Sequence, residues 1–175
     1  MTKNDIELQK LLDRTTIQDV LNQYFRGLDR SDQSMVRACF TTDVVSNYDG
    51  RSSIRSSEVK TQYGIEALMS TLVTFKKHAS GESKITSHFM GNFKIEFTSD
   101  NSAVTETYAI AHIVLGMEPN EPVVMRGLRY LDRWRMFADE WRICERTHTL
   151  DWSYSVPSQF SISTNERVNN LRQTS

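Results

Sequence analysis

Residues that mark special classes of protein are scarce in this chain of 175 residues. It has two cysteines, Cys39 and Cys144, without the Cys-X-X-Cys spacing of metal and redox sites. Each is expected to be a small buried hydrophobic residue. No run of about 18 apolar residues is present, and the polar N-terminus lacks the apolar region of a signal peptide. We therefore expect a soluble cytoplasmic protein without a membrane partner.

An excess of charge of one sign is also missing. The chain has 21 basic and 22 acidic residues, for a net charge of −1, and both signs are mixed along it. This balance gives no electrostatic reason to expect a nucleic-acid partner. The chain has no glycine-rich phosphate loop and no nucleophile-elbow motif. Its four histidines lack close metal-ligand spacing, so an organic-ligand pocket is favoured over a metal site, and no cofactor is expected.

The hydrophobic pattern changes from helical to strand-like along the chain. Apolar residues recur at helical spacing over residues 5–30, around 35–40 and from 65 to about 80. A strand is predicted over 42–48, and from residue 84 onward the period is two. Four further strands are predicted, over residues 84–98, 102–116, 122–137 and 140–152. Helices followed by antiparallel strands are typical of an α+β fold with helices on one face of a sheet.

This pattern predicts one domain over residues 1–152 and a polar tail over 153–175. The tail either lies on the surface or packs on a neighbouring subunit. The serine-rich segment 51–60 has little apolar bulk. It is interpreted either as a mobile loop beside the space that the domain encloses or as a simple connector.

Asp29 is an unusual residue at the end of the first predicted helix. It follows Phe25 by four residues and Leu21 by eight, so it lies on the buried side of that helix. A carboxylate there is costly unless it is paired, and the helix dipole disfavours negative charge at a C-terminus. Asp29 therefore needs a partner, for which His88 is the candidate. Taken alone, Asp29 also fits a local cap or an ion pair with Arg30.

The face on which His88 lies depends on the regularity of its strand. Phe93, Ile95 and Phe97 share one face, and strict alternation would place His88 on the other face with Lys94. An extra residue at 90–92, where Gly91 permits a bulge, would move His88 to the apolar face. Alternatively, the polar half of the strand faces an enclosed pocket. The sequence leaves both possibilities open.

Two other strands carry polar residues among apolar ones. On the second of the four strands, small residues at 103–111 form a face that would pack closely on another layer. Its other face carries Tyr108 and His112, which are predicted to line a pocket. On the last strand, Arg146 and His148 share a face with apolar residues and need partners or a ligand. Arg146 also fits a structural ion pair across the sheet. The other predicted members of that face are Arg142, Cys144, Leu150 and Trp152.

A buried aspartate next to an inward-facing histidine predicts acid–base chemistry. An Asp that binds one imidazole nitrogen fixes the tautomer, and the other nitrogen becomes an oriented general base. Such a base typically accelerates a reaction ~10²–10⁴-fold and needs no nucleophile or cofactor. It suits elimination, isomerisation or aldol-type cyclisation. Arg146 could hold a departing or developing anion.

Four pieces of the chain resemble, in order and spacing, the SnoaL-like branch of the nuclear transport factor two-like superfamily. They are residues 17–30, 87–97, 106–112 and 129–143. The resemblance implies a cone-like fold, in which a curved antiparallel sheet wraps around a pocket closed by N-terminal helices. Members that eliminate water or hydrogen chloride use an Asp–His dyad, which matches Asp29 and His88. An arginine five residues after the Trp of the last strand matches Arg146. Where a dehydrochlorinase has lysine this chain has Tyr24, which favours an oxygenated substrate over a halogenated one.

We therefore expect a cofactor-independent lyase of the dehydratase type that acts on a small hydrophobic cyclic molecule. The catalytic residues are predicted to be Asp29, His88 and Arg146. The predicted substrate-binding residues are Tyr24, Asn92, Tyr108, His112 and His148. The resemblance also favours a homo-oligomer, a dimer or trimer. The alternatives are an isomerase or cyclase with the same dyad, and a non-catalytic ligand-binding or oligomerisation domain.

Overall fold

The computed structural model describes residues 2–49, 59–72, 85–114 and 122–156, which form an α+β fold. Three helices and six strands are present in this part of the chain. In chain order they are α1 (Lys3–Arg30), α2 (Gln33–Arg37), β1 (Phe40–Asp49), β2 (Val59–Tyr63), α3 (Ile65–Thr71), β3 (Ile85–Ser99), β4 (Ser102–Val114), β5 (Val123–Phe137) and β6 (Glu140–Val156). No helix among these described residues is long and apolar enough to cross a membrane.

The six strands form one curved sheet in the order β2-β1-β6-β5-β4-β3. Neighbouring strands are antiparallel except β1 and β6, which are parallel. We call the face of the sheet that packs against α1 the inner face, and the opposite face the outer face. Together with the helices, the curved sheet confirms the α+β class that the sequence pattern predicted and the cone-like form that the resemblance implied.

Helix α1 has well-defined ends. A capping box starts the helix, since the Thr2 hydroxyl accepts from the Asp5 amide and the Asp5 carboxylate accepts from the Thr2 amide. The helix ends at Ser31, whose backbone is left-handed with φ of 55°. Near this end, a Cβ on Gly27 would approach the Val36 side chain to 2.7 Å and its backbone nitrogen to 3.1 Å. A glycine is therefore required where α2 passes close to α1.

The inner face carries the buried core. On β4 its members are small, and on β5 they are larger and include one carboxylate. They are Ala103, Thr105, Thr107, Ala109 and Ala111 on β4, and Leu128, Tyr130, Asp132 and Trp134 on β5. Tyr108 therefore lies on the outer face, where 38% of its surface is exposed, and His112 is on the same side. Tyr108 and His112, which were predicted to line a pocket, therefore lie on the opposite face of the sheet from His88.

A β-bulge in β3 decides the orientation of His88. Met90 pairs with Ala109 and Phe93 with Thr107, so Gly91 and Asn92 together oppose a single residue of β4. The extra residue reverses the alternation, and His88 lies opposite the buried Ala111 on the inner face. Of the two possibilities that the sequence leaves open, the structure shows the bulge.

Two more register shifts change the inner face of β6. Arg133 pairs with Glu145 and Trp134 with Ile143, which leaves Cys144 as an extra residue. A second shift leaves Asp151 unpaired, between Leu150 opposite Leu128 and Trp152 opposite Gly127. The inner face of β6 consists of Trp141, Ile143, Arg146, His148 and Leu150. The prediction that Arg142, Cys144 and Trp152 share this face is wrong, because each bulge reverses the alternation.

The remaining differences concern the ends of elements. Strand β2, which pairs with β1, was not predicted as a strand and includes the last two residues of the predicted loop 51–60. Strand β6 continues to Val156, so residues 153–156 are strand and not tail. The rest of the predicted loop, the predicted continuation of α3 beyond residue 72 and the tail after residue 156 lie outside the described residues.

Candidate active site

Asp29 and His88 form a hydrogen-bonded pair between the end of α1 and β3. His88 Nδ1 lies 2.6 Å from Asp29 Oδ1, and the His88 backbone amide donates to Oδ2 at 3.0 Å. Both carboxylate oxygens therefore bind the same residue and fix its ring as well as its backbone. The His88 side chain is only 5% exposed, whereas that of Asp29 is 26% exposed. The bulge in β3 makes this contact possible because it turns His88 toward α1.

The pairing determines which nitrogen of His88 can act as a base. An ionised carboxylate only accepts hydrogen bonds, so Nδ1 carries the proton in the neutral imidazole. Nε2 is then the basic nitrogen, and it has no hydrogen-bond partner among the described residues. The Phe25 ring lies 5.5 Å from the His88 ring and packs beside it. In this arrangement, His88 Nε2 can accept a proton next to an apolar ring.

Arg146 forms a second buried pair, with Asp132 of β5. Its Nε and Nη2 atoms donate to the two carboxylate oxygens of Asp132, each at 2.7 Å. Burial alone would lower the pKa of Arg146, but the charge and hydrogen bonds of Asp132, together with Tyr24 and Tyr130, outweigh it and the pKa is raised. Of the guanidinium nitrogens, only Nη1 is without a partner in the described part of the chain. The geometry thus matches the structural ion pair that the sequence offers as an alternative for Arg146.

Three aromatic rings surround this guanidinium. The carbon Cζ of Arg146 lies 4.1 Å from the centre of the Tyr24 ring, 4.7 Å from that of Tyr130 and 5.1 Å from that of Phe40. Contacts of a cation with ring faces at these distances are attractive. Burial raises the pKa of Tyr24, although Arg146 acts in the opposite direction. Tyr24 therefore remains a protonated hydroxyl at neutral pH.

His148 lies next to this pair on the inner face of β6. Its ring stacks on Tyr130 with centres 4.7 Å apart, and the Tyr48 ring meets it edge-on at 5.2 Å. Burial, followed by the charges of Arg146 and His88, lowers the pKa of His148 to about 3. The ring is consequently neutral at physiological pH. Its Nε2 atom is buried and has no hydrogen-bond partner among the residues described.

The other predicted site residues lie apart from this group. Tyr108 packs under Arg129 on the outer face, with the guanidinium carbon 5.2 Å from the ring centre. His112 is on that face too, and Asn92 is exposed in the bulge of β3. The structure thus brings together Asp29, His88, Arg146, Tyr24 and His148 but not Tyr108, His112 or Asn92.

A groove of about 320 Å³ is present on the outer face, and neither Asp29 nor His88 lines it. Its lining includes Lys94, Glu96, Leu131, Arg133 and Glu145, most of them exposed charged side chains. No described histidine lines this groove, so we assign the candidate site to the inner face, where His88 and Asp29 lie. Among the described residues, no cluster of three or more His, Cys, Asp or Glu side chains is suited to a metal ion.

The sequence profile of the SnoaL-like domain matches residues 9–147 of the chain. The chain belongs to the SnoaL-like family. The fold is that of the nuclear transport factor two-like superfamily, to which this family belongs. No curated protein sequence matches the chain.

Solved structures with the same fold include several enzymes and enzyme subunits. A proposed scytalone dehydratase from Novosphingobium aromaticivorans is 19% identical with a TM-score of 0.70, covering 85% of this chain and 90% of that chain. A hexachlorocyclohexane dehydrochlorinase from Novosphingobium barchaimii is 15% identical with a TM-score of 0.68, covering 86% and 94%. The β-subunit of a proposed aromatic-ring-hydroxylating dioxygenase from N. aromaticivorans is 15% identical, with a TM-score of 0.62 and coverage of 83% and 92%. At these identities the similarity establishes the fold alone.

In this SnoaL-like domain, sequence reasoning missed two residues of the site. Asp132 was not recognised as the partner of Arg146, and Tyr130 was not recognised as the ring between Arg146 and His148. A signal was present, since Asp132 stands between Tyr130 and Trp134 at strand spacing. A carboxylate among buried aromatic residues needs a cation, as Asp29 needs His88.

Proposed function

We propose that this SnoaL-like domain is a cofactor-independent lyase that performs a dehydratase-type elimination, with His88 as the base and Asp29 as the residue that orients it. The observation that carries the proposal is the 2.6 Å contact between His88 Nδ1 and Asp29 Oδ1. Asp29 uses both oxygens on His88, which leaves Nε2 as the basic nitrogen. A carboxylate behind the ring also stabilises the imidazolium that forms when the base takes a proton.

In the proposed reaction, Nε2 of His88 takes a proton from the carbon next to a carbonyl group. The electron pair of that C–H bond forms a carbon–carbon double bond, and the hydroxyl group on the next carbon leaves. The imidazolium returns the proton to the leaving hydroxyl group, so that one water molecule departs and His88 is neutral again. Tyr24 remains protonated and can donate a hydrogen bond to a substrate oxygen. Arg146 binds Asp132 through Nε and Nη2, so Nη1, which has no partner among the described residues, is the nitrogen that could serve this purpose.

The side chains around the dyad support a hydrophobic cyclic substrate. Phe25 contacts both the His88 ring and the Tyr130 ring, the latter with centres 5.4 Å apart. Flat aromatic surfaces of this kind pack well against a ring. The names of two structures with the same fold, a dehydratase and a dehydrochlorinase, both describe eliminations. They support an elimination here without identifying the substrate.

The same base would serve an isomerase or cyclase, which has no leaving group. A binding or assembly domain without chemistry has no use for a histidine with one nitrogen held by a carboxylate and the other without a partner. We therefore favour an enzyme. Elimination and isomerisation differ in the mass of the product, which makes the reaction class directly measurable.

The test is a screen of cyclic β-hydroxy ketones, with mass spectrometry for loss of one water and absorbance for the new conjugated ketone. His88→Ala and Asp29→Asn should each lower kcat by roughly 10²–10⁴-fold with unchanged circular dichroism. Asp19→Asn, an exposed aspartate of the same helix, is the matched control and should retain activity. Turnover without loss of mass would favour the isomerase. Near-normal turnover by both dyad variants would refute the proposed base.

A further inference from the structure

Arg126 of β5 lies in the same row of the sheet as the proposed base. His88 pairs with Ala111 of β4, and Ala111 pairs in turn with Arg126. Because residues directly opposite each other project to the same face, Arg126 shares the inner face with His88. Ala111 between them is buried and has only a methyl group, so no long side chain of β4 stands between His88 and Arg126 in this row.

The guanidinium of Arg126 differs from three others of β5 and β6. Arg129, Arg133 and Arg146 each direct Nε to a carboxylate, at 2.7 Å to Asp151, 3.3 Å to Glu145 and 2.7 Å to Asp132. The Nε atom of Arg126 is buried and has no hydrogen-bond partner among the described residues, and no described carboxylate lies within ion-pair distance. Arginine is permanently charged, and its buried Nε–H group lacks a hydrogen-bond partner within this described part of the chain. Such a group is expected to bind a ligand.

Other charges on the inner face are already compensated. Asp29 binds His88, and Asp132 binds Arg146 through both of its oxygens. The charge of Arg126 also contributes to the lowered pKa of His148, which is consistent with its position on the same face of the sheet. The site therefore combines the His88–Asp29 pair, a neutral second histidine and one cation that lacks an anion in the described structure.

We propose that Arg126 binds a carboxylate of the substrate and thereby selects an acidic ring compound for the base at His88. The Nε and Nη atoms of arginine form a planar fork that matches the two oxygens of a carboxylate. A carboxylate bound to Arg126 would lie in the same row of the sheet as His88. The ring of the substrate would then pack against Phe25 and lie beside Nε2 of His88. The role of this site in selecting a substrate rests on the proposed function, but binding of a carboxylate can be measured without turnover.

The experiment compares binding of benzoate with that of its neutral counterpart benzamide by isothermal titration calorimetry at constant ionic strength. The wild-type protein should prefer benzoate by roughly 10-fold or more, since a charge-assisted bidentate pair replaces neutral contacts. Arg126→Gln should abolish this preference, and Arg126→Lys, which keeps the charge but not the fork, should retain only part of it. Arg133→Gln, which removes an exposed arginine of the outer face, should leave the preference unchanged.

The same titrations in a His88→Ala background separate this inference from the proposed function. Retained preference for benzoate there, together with its loss in Arg126→Gln, supports the carboxylate site whether or not His88 is a base. Equal affinity of the wild-type protein for the two probes, no binding of either at millimolar concentration, or an unchanged preference in Arg126→Gln would overturn the inference.

Discussion

The buried pair of Asp132 and Arg146 offers a quantitative test of the interior of this domain. Asp132→Asn removes the negative charge and keeps the shape of the side chain. Arg146 remains charged and buried, with 2% of its side chain exposed. Removal of one partner of a buried ion pair typically costs about 3–5 kcal/mol, because the other charge is left uncompensated. We expect a loss of this size in the free energy of unfolding.

Two comparisons isolate the physical cause. In Asp132→Leu combined with Arg146→Met, both charges are replaced by apolar groups, and most of the lost stability should return. In Asp43→Asn, the ion pair with Arg135 is broken at positions whose side chains are 63% and 40% exposed. Surface pairs of this kind are worth about 0–1 kcal/mol, so this control should be close to the wild-type protein.

Urea unfolding followed by tryptophan fluorescence is a suitable assay, because Trp134 and Trp141 are both buried. The midpoint gives the change in stability, and an unchanged slope shows that the unfolding transition is comparable. If Asp132→Asn costs no more than Asp43→Asn, or if the double replacement is less stable than Asp132→Asn, the interpretation of this pair as a buried structural ion pair is refuted. Arg146 would then be available for a role at the substrate.

Two further predictions concern single residues. The pKa of His148 is lowered from 6.5 to about 3, so the unfolded chain binds a proton that the folded protein does not. The contribution of His148 to the free energy of unfolding should be constant above pH 6.5. It should fall by up to about 1.4 kcal/mol per pH unit as the pH decreases toward 3. His148→Gln should weaken this dependence in urea unfolding at several pH values, and an unchanged dependence would contradict the burial of a neutral His148 ring. Gly27→Ala should destabilise the protein by about 1–3 kcal/mol despite the higher helix propensity of alanine, because its Cβ would meet Val36. Gly91→Ala, whose Cβ would have no neighbour nearer than 3.7 Å, is the control, and equal thermal shifts would contradict the packing argument.

Local patterns predicted the helical and strand-like parts of this chain well. The apolar side of α1 and the position of the Asp29 carboxylate on it follow from helical spacing alone, which is a local property. His88 could be predicted as the partner of Asp29 because a carboxylate on the apolar side of a helix needs a hydrogen-bond donor. Gly91 also permits the bulge that turns His88 inward. The order of helices and strands, read in the same way, predicted the α+β fold.

The faces of β6 could not be predicted because they depend on partner strands. Neither Cys144 nor Asp151 is a glycine or carries another local sign of a bulge, and β6 pairs with both β1 and β5. The register of these pairings determines where an extra residue is placed. The face on which Tyr108 and His112 lie could not be predicted for a similar reason, since the alternation along β4 does not indicate which of its two faces packs on the core. Size alone favoured the wrong face.

The tautomer of His88 tests the central claim, that Asp29 orients this residue as a base, without requiring a substrate. In ¹⁵N NMR of the imidazole of neutral His88, the wild-type protein should show a protonated Nδ1 and an unprotonated Nε2. In Asp29→Asn, the side-chain oxygen can still accept from the His88 amide while its NH₂ group donates to Nδ1, so the proton should move to Nε2. A wild-type His88 with its proton on Nε2 would contradict the account, because that nitrogen could not accept a proton from a substrate.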